Sequence, residues 1–391
     1  MTVRFADRMS RLGTETAFEV LVKARALEAK GVDVVHLEVG EPDFDTPENV
    51  IEAGVEALES GWTHYGAAQG DPELRAAIAT YINTSRNLDY SPDQVVVTPG
   101  GKPVMFFLIL ALLQEGDEAI YPDPGFPIYG SMINFTGAKP VPIPLREENS
   151  FELDVDELES LITPRTKLLI INTPANPTGG VLGPEKLKRI AELAVEHDLI
   201  VMSDEIYAEL IYEGKHVSIA TFPGMKERTV ILDGFSKTYA MTGWRLGYGI
   251  FPQELVGPIT KLGVNSVSCT SVAVQRAGIA ALTGPQDKVV EFREAFRRRR
   301  DLIVDGLNAI DGISCVLPKG AFYAFPNITQ TGLSSREFAD RLLEEYGVAG
   351  IAGTSFGAAG EGYLRLSTAN SEANLQKALD RVGAMVADLG K

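Results

Sequence analysis

Gly234-Phe235-Ser236-Lys237-Thr238-Tyr239-Ala240-Met241-Thr242-Gly243-Trp244-Arg245-Leu246-Gly247 follows one apolar run, Thr229-Val230-Ile231-Leu232, and leads into another, Tyr248-Gly249-Ile250. Both runs read as buried strands. Lys237 therefore sits just past a strand end among small residues, with the cationic Arg245 a short way on. In water a lysine titrates near ~10.4, but burial and a nearby positive charge both favour the neutral amine. A neutral amine attacks carbonyls and forms a Schiff base. The commoner fate of a single lysine is different: its stem is covered while its ammonium reaches solvent. This stretch alone does not choose between the two.

The same strand signature recurs on both sides of it. Val95-Val96-Val97, Glu118-Ala119-Ile120-Tyr121, Pro140-Val141-Pro142-Ile143, Leu168-Leu169-Ile170-Ile171 and Leu199-Ile200-Val201-Met202 precede Val230-Ile231-Leu232 and the segment from Leu246 to Ile250. Helical segments intervene at Lys102–Leu113, Gly125–Phe135 and Pro184–His197. Continuous apolar strands alternating with helices predict an α/β fold, a mostly parallel seven-stranded sheet with helices on both faces. Ligands of such sheets collect beyond the carboxyl ends of the strands.

Upstream, apolar spacing predicts a helix over Thr14–Lys30 and a strand over Val34–Gly40. Thr46 is then expected to cap a helix that has Pro47 in its first turn and runs to Gly61. Downstream of about Thr283 a long helix carries Arg297-Arg298-Arg299-Arg300, read as a solvated face. Strand-like Phe322-Tyr323-Ala324-Phe325 and Tyr363-Leu364-Arg365-Leu366-Ser367 alternate with helices near Ser335–Tyr346 and Ser371–Leu389. The expected division is a large ligand-binding domain over 41–285, with 1–40 and 286–391 forming an N-terminal arm and a small α+β domain.

Composition narrows the function. A chain of 391 residues, 45% of them hydrophobic, is long for one core and ordinary for a globular protein. A net charge of −17 argues against nucleic acid or an anionic membrane as partner. No apolar run reaches the length of a membrane span. The segment Met1–Arg8 lacks the apolar core of a signal peptide. Two cysteines give no disulfide framework, and the four histidines show no metal-ligand spacing. A metal-free cytoplasmic protein is expected.

Several post-strand sites carry chemistry. Thr98-Pro99-Gly100-Gly101-Lys102 opens a helix, where paired glycines let backbone N–H groups face an anion; an ordinary βα turn favours glycine too. No GxGxxG follows the first strand and no GxxxxGK[ST] occurs, so dinucleotide and nucleoside-triphosphate readings lack support. Phe126, in Pro122-Asp123-Pro124-Gly125-Phe126-Pro127-Ile128-Tyr129, is either a stacking face for a planar ligand or a core aromatic. Asn176, in Asn172-Thr173-Pro174-Ala175-Asn176-Pro177-Thr178-Gly179-Gly180, offers donor and acceptor, though a pure turn role fits as well. Asp204, in Ser203-Asp204-Glu205-Ile206-Tyr207, ends a buried strand and needs a partner, expected to be a cation in the cleft. A phosphate cradle, a flat ring, an acid, a phenol, an amide and a Schiff-base lysine are together what holding pyridoxal phosphate requires.

On these residues the chain resembles the class I/II aminotransferases, the fold-type-I enzymes dependent on pyridoxal 5'-phosphate, over essentially its whole length. The match rests on Gly234–Gly247, Asn176-Pro177-Thr178-Gly179 and Asp204-Glu205-Ile206-Tyr207. Gly40-Glu41-Pro42-Asp43-Phe44-Asp45-Thr46-Pro47 looks most like the bacterial aspartate-aminotransferase-like branch. The resemblance implies that Lys237 forms the Schiff base and then carries a proton, and that Asp204 pairs with the pyridine nitrogen. It implies that Tyr207 and Asn176 bind the ring oxygen, that Phe126 stacks, and that Gly100, Gly101, Lys102, Ser236 and Arg245 surround the phosphate. Tyr65 would reach the phosphate in a neighbouring subunit, which implies a homodimer with shared sites. Arg365, helped by the backbone of Gly40, matches the clamp on the substrate α-carboxylate. Gly234 stands where some members have a phosphate-binding serine, which removes one hydrogen bond.

The implied reaction moves an amino group between an L-amino acid and a 2-oxo acid by a ping-pong route. The alternative on the same cofactor is a β-lyase or a synthase. An effector-sensing domain behind a DNA-binding helix-turn-helix is disfavoured, because too few residues precede Gly40. A dicarboxylate substrate needs a second cation, yet Asn265–Ser271 holds no arginine and Lys261 is the nearest upstream base. Gly13-Thr14-Glu15-Thr16-Ala17-Phe18 is expected to cover the pocket, with Glu15 favouring a neutral or basic donor over aspartate.

Overall fold

Apolar runs without polar alternation are stable as strands only when both faces are covered. The computed structural model describes residues 3–389, so Met1, Thr2 and the last two residues of the predicted small domain lie outside it. Its strands are β1 (Val35–His36), β2 (Val95–Thr98), β3 (Glu118–Asp123), β4 (Lys139–Pro144), β5 (Thr166–Asn172) and β6 (Ile200–Asp204). They continue with β7 (Thr229–Gly234), β8 (Gly247–Ile250), β9 (Tyr323–Ala324), β10 (Val348–Ala349), β11 (Ile351–Ala352) and β12 (Leu364–Ser367).

Every strand predicted between Val95 and Ile250 joins one seven-stranded sheet, in the order β2-β8-β7-β6-β5-β3-β4. Only β8 runs antiparallel to its neighbours. Residues alternate between the two faces: Leu168 and Ile170 pack with Val104, Leu108 and Ile259. Leu169 and Ile171 pack on the other side with Leu187, Ile190 and Leu193. Thr98 and Gly234 both pair with Gly247. The glycine turn after β2, the lysine loop after β7 and the start of β8 therefore meet at one edge.

A three-stranded antiparallel sheet, β11-β12-β9, is built from the C-terminal residues, and β1 pairs in parallel with β10. A separate apolar core gathers Leu37, Ile303, Leu307, Phe338, Leu366 and Leu375.

Local expectations differ in four places. Of Val34–Gly40 only Val35 and His36 pair as strand, because the carbonyl of Glu38 is taken by Arg365 instead of a ladder. Thr46 does not cap the helix Glu48–Glu59, whose N-cap position is Pro47. Its hydroxyl donates to the Ala240 carbonyl at 2.8 Å and accepts from Trp244 Nε1 at 3.0 Å, tying it to the lysine loop. The arginine run is not one solvated face. Arg297 and Arg298 meet Glu294 and Glu372 at the surface, whereas Arg300 is buried and donates to the Pro318 carbonyl. Arg299 stacks on Phe44 and pairs with Asp43, as a 3.6-residue period requires of four consecutive positions. Finally, only Tyr323 and Ala324 of the run Phe322–Phe325 are in a strand.

Candidate active site

The strand ends border a cavity of about 510 Å³. It is lined by every predicted site residue except Gly100, which lies directly behind Arg245, and Tyr65.

The lysine loop is held in a strained conformation. Ala240 (φ 51°) and Arg245 (φ 56°) both adopt the left-handed region, at about 1–2 kcal/mol each for an L-residue. Such strain persists where surrounding contacts fix it, and here Thr46 clamps Ala240. Lys237 Nζ donates to the Gly40 carbonyl and lies 5.7 Å from the centre of the Phe322 ring. Desolvation first, and the charge of Arg365 second, lower its pKa from 10.5 to about 8. The cation that matters is thus Arg365 and not the expected Arg245, whose Nη1 donates to the Thr242 carbonyl at 2.7 Å.

Asp204, at the end of β6, is buried. The Tyr129 hydroxyl donates to its Oδ2 at 2.5 Å and the Ile206 N–H to its Oδ1 at 3.2 Å. Burial outweighs both donors and pushes the carboxyl up to about 6. Among the described residues the side chain bonded to its carboxylate is this phenol, and no cation pairs with it. Asn172 Nδ2 donates to the Asp204 carbonyl at 3.0 Å, while its Oδ1 accepts from the Asn176 N–H at 2.8 Å. That pair of bonds fixes the Asn176 loop against β6. Behind Asp204, buried Arg86 bridges Glu205 and Asp233, each at 2.6 Å.

Tyr207 and Tyr323 share a hydrogen bond of 2.8 Å between their hydroxyls. Arg365 is buried beside the Tyr323 ring and donates from Nη1 to Asn176 Oδ1 at 3.3 Å. Its Nε has no partner among the described residues. Leaving such a donor buried and unpaired is costly, so this arginine is set up for an external acceptor.

At the opposite end, Gly100 has φ +88°, and a Cβ there would lie 2.4 Å from Arg245 Nη2. Backbone and guanidinium therefore touch, where the helix Lys102–Leu112 presents its first N–H groups together with Ser236 and Arg245. Lys102 extends its ammonium over the Phe126 ring, at 5.5 Å, and pairs with Glu15. The expected cover is present: Glu15, Ala17 and Phe18 line the cavity. Tyr65 is 89% exposed and borders a separate cleft with Trp62 and Val272.

Sequence reasoning missed Tyr129, Tyr323 and the Lys102–Glu15 pair. The spacing of Phe126 and Tyr129, whose rings meet edge to face at 5.6 Å, was the one local signal for the first. The other two contacts join elements far apart in sequence.

Among the described residues, no group of histidine, cysteine, aspartate and glutamate has the geometry of a metal site, and no helix is long and apolar enough to cross a membrane. Residues 32–382 match the family described as aminotransferase class I and II. The chain is 45% identical to an aspartate aminotransferase of Pyrococcus abyssi over 90% of this chain and 91% of that protein. It is 43% identical to an aromatic-amino-acid aminotransferase of Thermococcus litoralis, covering 90% and 92%. The solved aspartate aminotransferase from Thermus thermophilus with maleate superposes with a TM-score of 0.94 at 41% identity, covering 98% of this chain and 100% of that one. With residues 32–382 matching the family, 45% identity to one relative over about nine-tenths of both chains, and a nearly full-length superposition on another at 41% identity, the chain belongs to the class I and II aminotransferases.

Proposed function

We propose that this aminotransferase exchanges amino groups between L-amino acids and 2-oxo acids on pyridoxal 5'-phosphate held in the cavity, with Lys237 as covalent anchor and proton carrier. The observation that carries this reading is a buried Asp204 carboxylate with no cation pair among the described residues, in one cavity with a lysine amine held near neutrality. An acid so placed fits a protonated ring nitrogen. The Gly100–Arg245 contact, with Gly101, Ser236 and the backbone of Lys102, fits a phosphate. Phe126 fits the ring face, and Tyr207 with Asn176 fits the ring oxygen.

When bound, the cofactor supplies an electron-accepting ring and an aldehyde carbon open to amines. Lys237 would hold the cofactor through its neutral amine and, when that amine is free, would carry a proton to and from the substrate Cα. Gly40 aims the amine through its carbonyl, which accepts from Nζ. Arg365 holds the substrate α-carboxylate, which supplies the acceptor its Nε lacks. Neither the pocket nor these relatives favour β-elimination or a synthase.

Residues 41–285 serve as the cofactor domain, and 1–40 with 286–391 as the arm and small domain, a division supported by the separate C-terminal core. The working unit is a homodimer in which Tyr65 reaches the neighbouring subunit's phosphate site, a reading supported by its exposure away from its own cavity. Free Cys269 and Cys315 suit a reducing, cytoplasmic setting.

Reconstitution with the cofactor tests the reading. An amino acid should discharge its visible absorbance and a 2-oxo acid should restore it. Lys237→Ala should bind the cofactor without turnover; full turnover by that variant would sink the assignment.

A further inference from the structure

The proposed transamination leaves the identity of the donor open, and the ion pair at the cavity rim bears on it. A dicarboxylic donor with its α-carboxylate on Arg365 needs a second cation for its distal acid. The cations lining the cavity are Lys102, Lys237, Arg245 and Arg365. Lys237 is the reacting amine, Arg365 takes the α-carboxylate, and Arg245 packs on the Gly100 turn at the phosphate end. Lys102 is the remaining candidate, and its ammonium is already paired with Glu15, whose side chain is only 17% exposed. A second lining carboxylate, Glu41, accepts from the Thr242 hydroxyl.

The pair acts in both directions. A distal carboxylate would have to displace Glu15 from Lys102 and then lie beside it, while a basic side chain would have to displace Lys102 from Glu15. Rejection of a wrong partner through an occupied charge is a known route to specificity. The surfaces left for a side chain are apolar: Ala17, Phe18 and Ile206 line the same cavity. Phe18 is 58% exposed, an apolar group at the pocket rim with room to be covered.

We infer that Glu15 is a specificity-determining residue: by neutralising Lys102 it directs the enzyme to amino donors with uncharged, apolar or aromatic side chains, against both dicarboxylic and basic ones. This rests on the transaminase reading and names the substrate class of that same site.

The holoenzyme tests it with alanine, phenylalanine, aspartate and lysine as donors, each followed by loss of the cofactor's visible absorbance. Wild type should show higher kcat/KM for phenylalanine or alanine than for aspartate or lysine. Glu15→Gln frees Lys102 and should raise the aspartate-to-phenylalanine ratio of kcat/KM by about two- to fivefold, the worth of one partly exposed ion pair. Affinity for maleate, an unreactive dicarboxylate, measured by calorimetry, should rise by a similar factor. Glu15→Gln combined with Lys102→Gln should cancel both gains. Wild-type preference for aspartate or lysine overturns the inference without any variant. An unchanged donor ratio and maleate affinity in a folded Glu15→Gln overturns it as well. Failure of every amino acid to discharge the absorbance would instead defeat the underlying transaminase reading.

Discussion

The Tyr129 hydroxyl donates to Asp204 Oδ2 at 2.5 Å, across 75 positions of sequence, and both groups are buried. The acid that faces the cavity is therefore held from behind by a phenol. Burial raises its pKa from 3.8 to about 6, so ionising it in the folded chain opposes stability as the pH rises through that window. The Tyr129 bond favours the ionised form, and its loss extends the window upward.

Tyr129→Phe should therefore destabilise the protein by about 1.5–3 kcal/mol at pH 8, the worth of a hydrogen bond to a charged group. At pH 5, where the acid is mostly protonated, the loss should be smaller. Thermal unfolding at the two pH values checks this, and an equal loss at both would show that the bond does not act on the ionised acid.

Lys237 gives a prediction of opposite sign. Its pKa falls from 10.5 to about 8 on folding, so the stabilisation tied to its neutral form is present above the upper value and lost as pH drops through the lower. The rate at which the cofactor-free protein captures pyridoxal phosphate should rise through a midpoint near pH 8. Arg365→Met removes the like charge that ranks after desolvation among the causes, and should move that midpoint upward. It should also raise KM for every amino acid donor. A midpoint that stays in place in the variant would remove Arg365 from this role.

How much of this was legible in the sequence follows the range of each interaction. The strands from Val95 to Ile250 were legible because burial on both faces imposes continuous apolar runs, and the candidate residues followed because they sit where those runs stop. Thr46 reads as a helix cap because a hydroxyl before Pro47 is one locally; its real partners, Ala240 and Trp244, are brought by tertiary packing. Arg245 reads as the cation beside Lys237 for the same reason, since Arg365 arrives only when β12 packs against the cavity. Charge that looks exposed along a helix, as in Arg297–Arg300, turns inward where the helix phase dictates.

Arg86 is the sole arginine bridging Glu205 and Asp233 among the described residues. Burial pushes Glu205 up, but the His216 and Arg86 charges with the Ser218 hydroxyl hold it well below the carboxylate range. Asp233 is raised to about 7 by burial in spite of Arg86. Arg86→Met leaves buried Asp233 without its cation and Glu205 with His216 alone beside it, and should cost roughly 3–5 kcal/mol at pH 8. Protonation relieves that burden, so urea unfolding should show the variant recovering part of the loss at pH 5.5. Because the two acids flank Asp204 and Gly234 in sequence, cofactor affinity should fall along with stability.

Gly247 tests the meeting of the lysine loop with the glycine turn. A Cβ at this position would lie 2.5 Å from the Gly100 carbonyl carbon and 2.6 Å from the Gly101 nitrogen. Both are backbone atoms, so no rotamer relieves the clash and the turn itself must shift. Gly247→Ala should destabilise the chain by about 1–3 kcal/mol, as overpacking does. It should weaken pyridoxal phosphate binding by a larger factor than binding of maleate to the cofactor-loaded enzyme, because Gly100 and Gly101 serve the phosphate end while Arg365 holds carboxylates. Gly243→Ala, where a Cβ meets nothing within 4 Å, is the control within the same loop. If the two alanine variants lose cofactor equally, contact between β8 and the glycine turn is not what shapes the phosphate site.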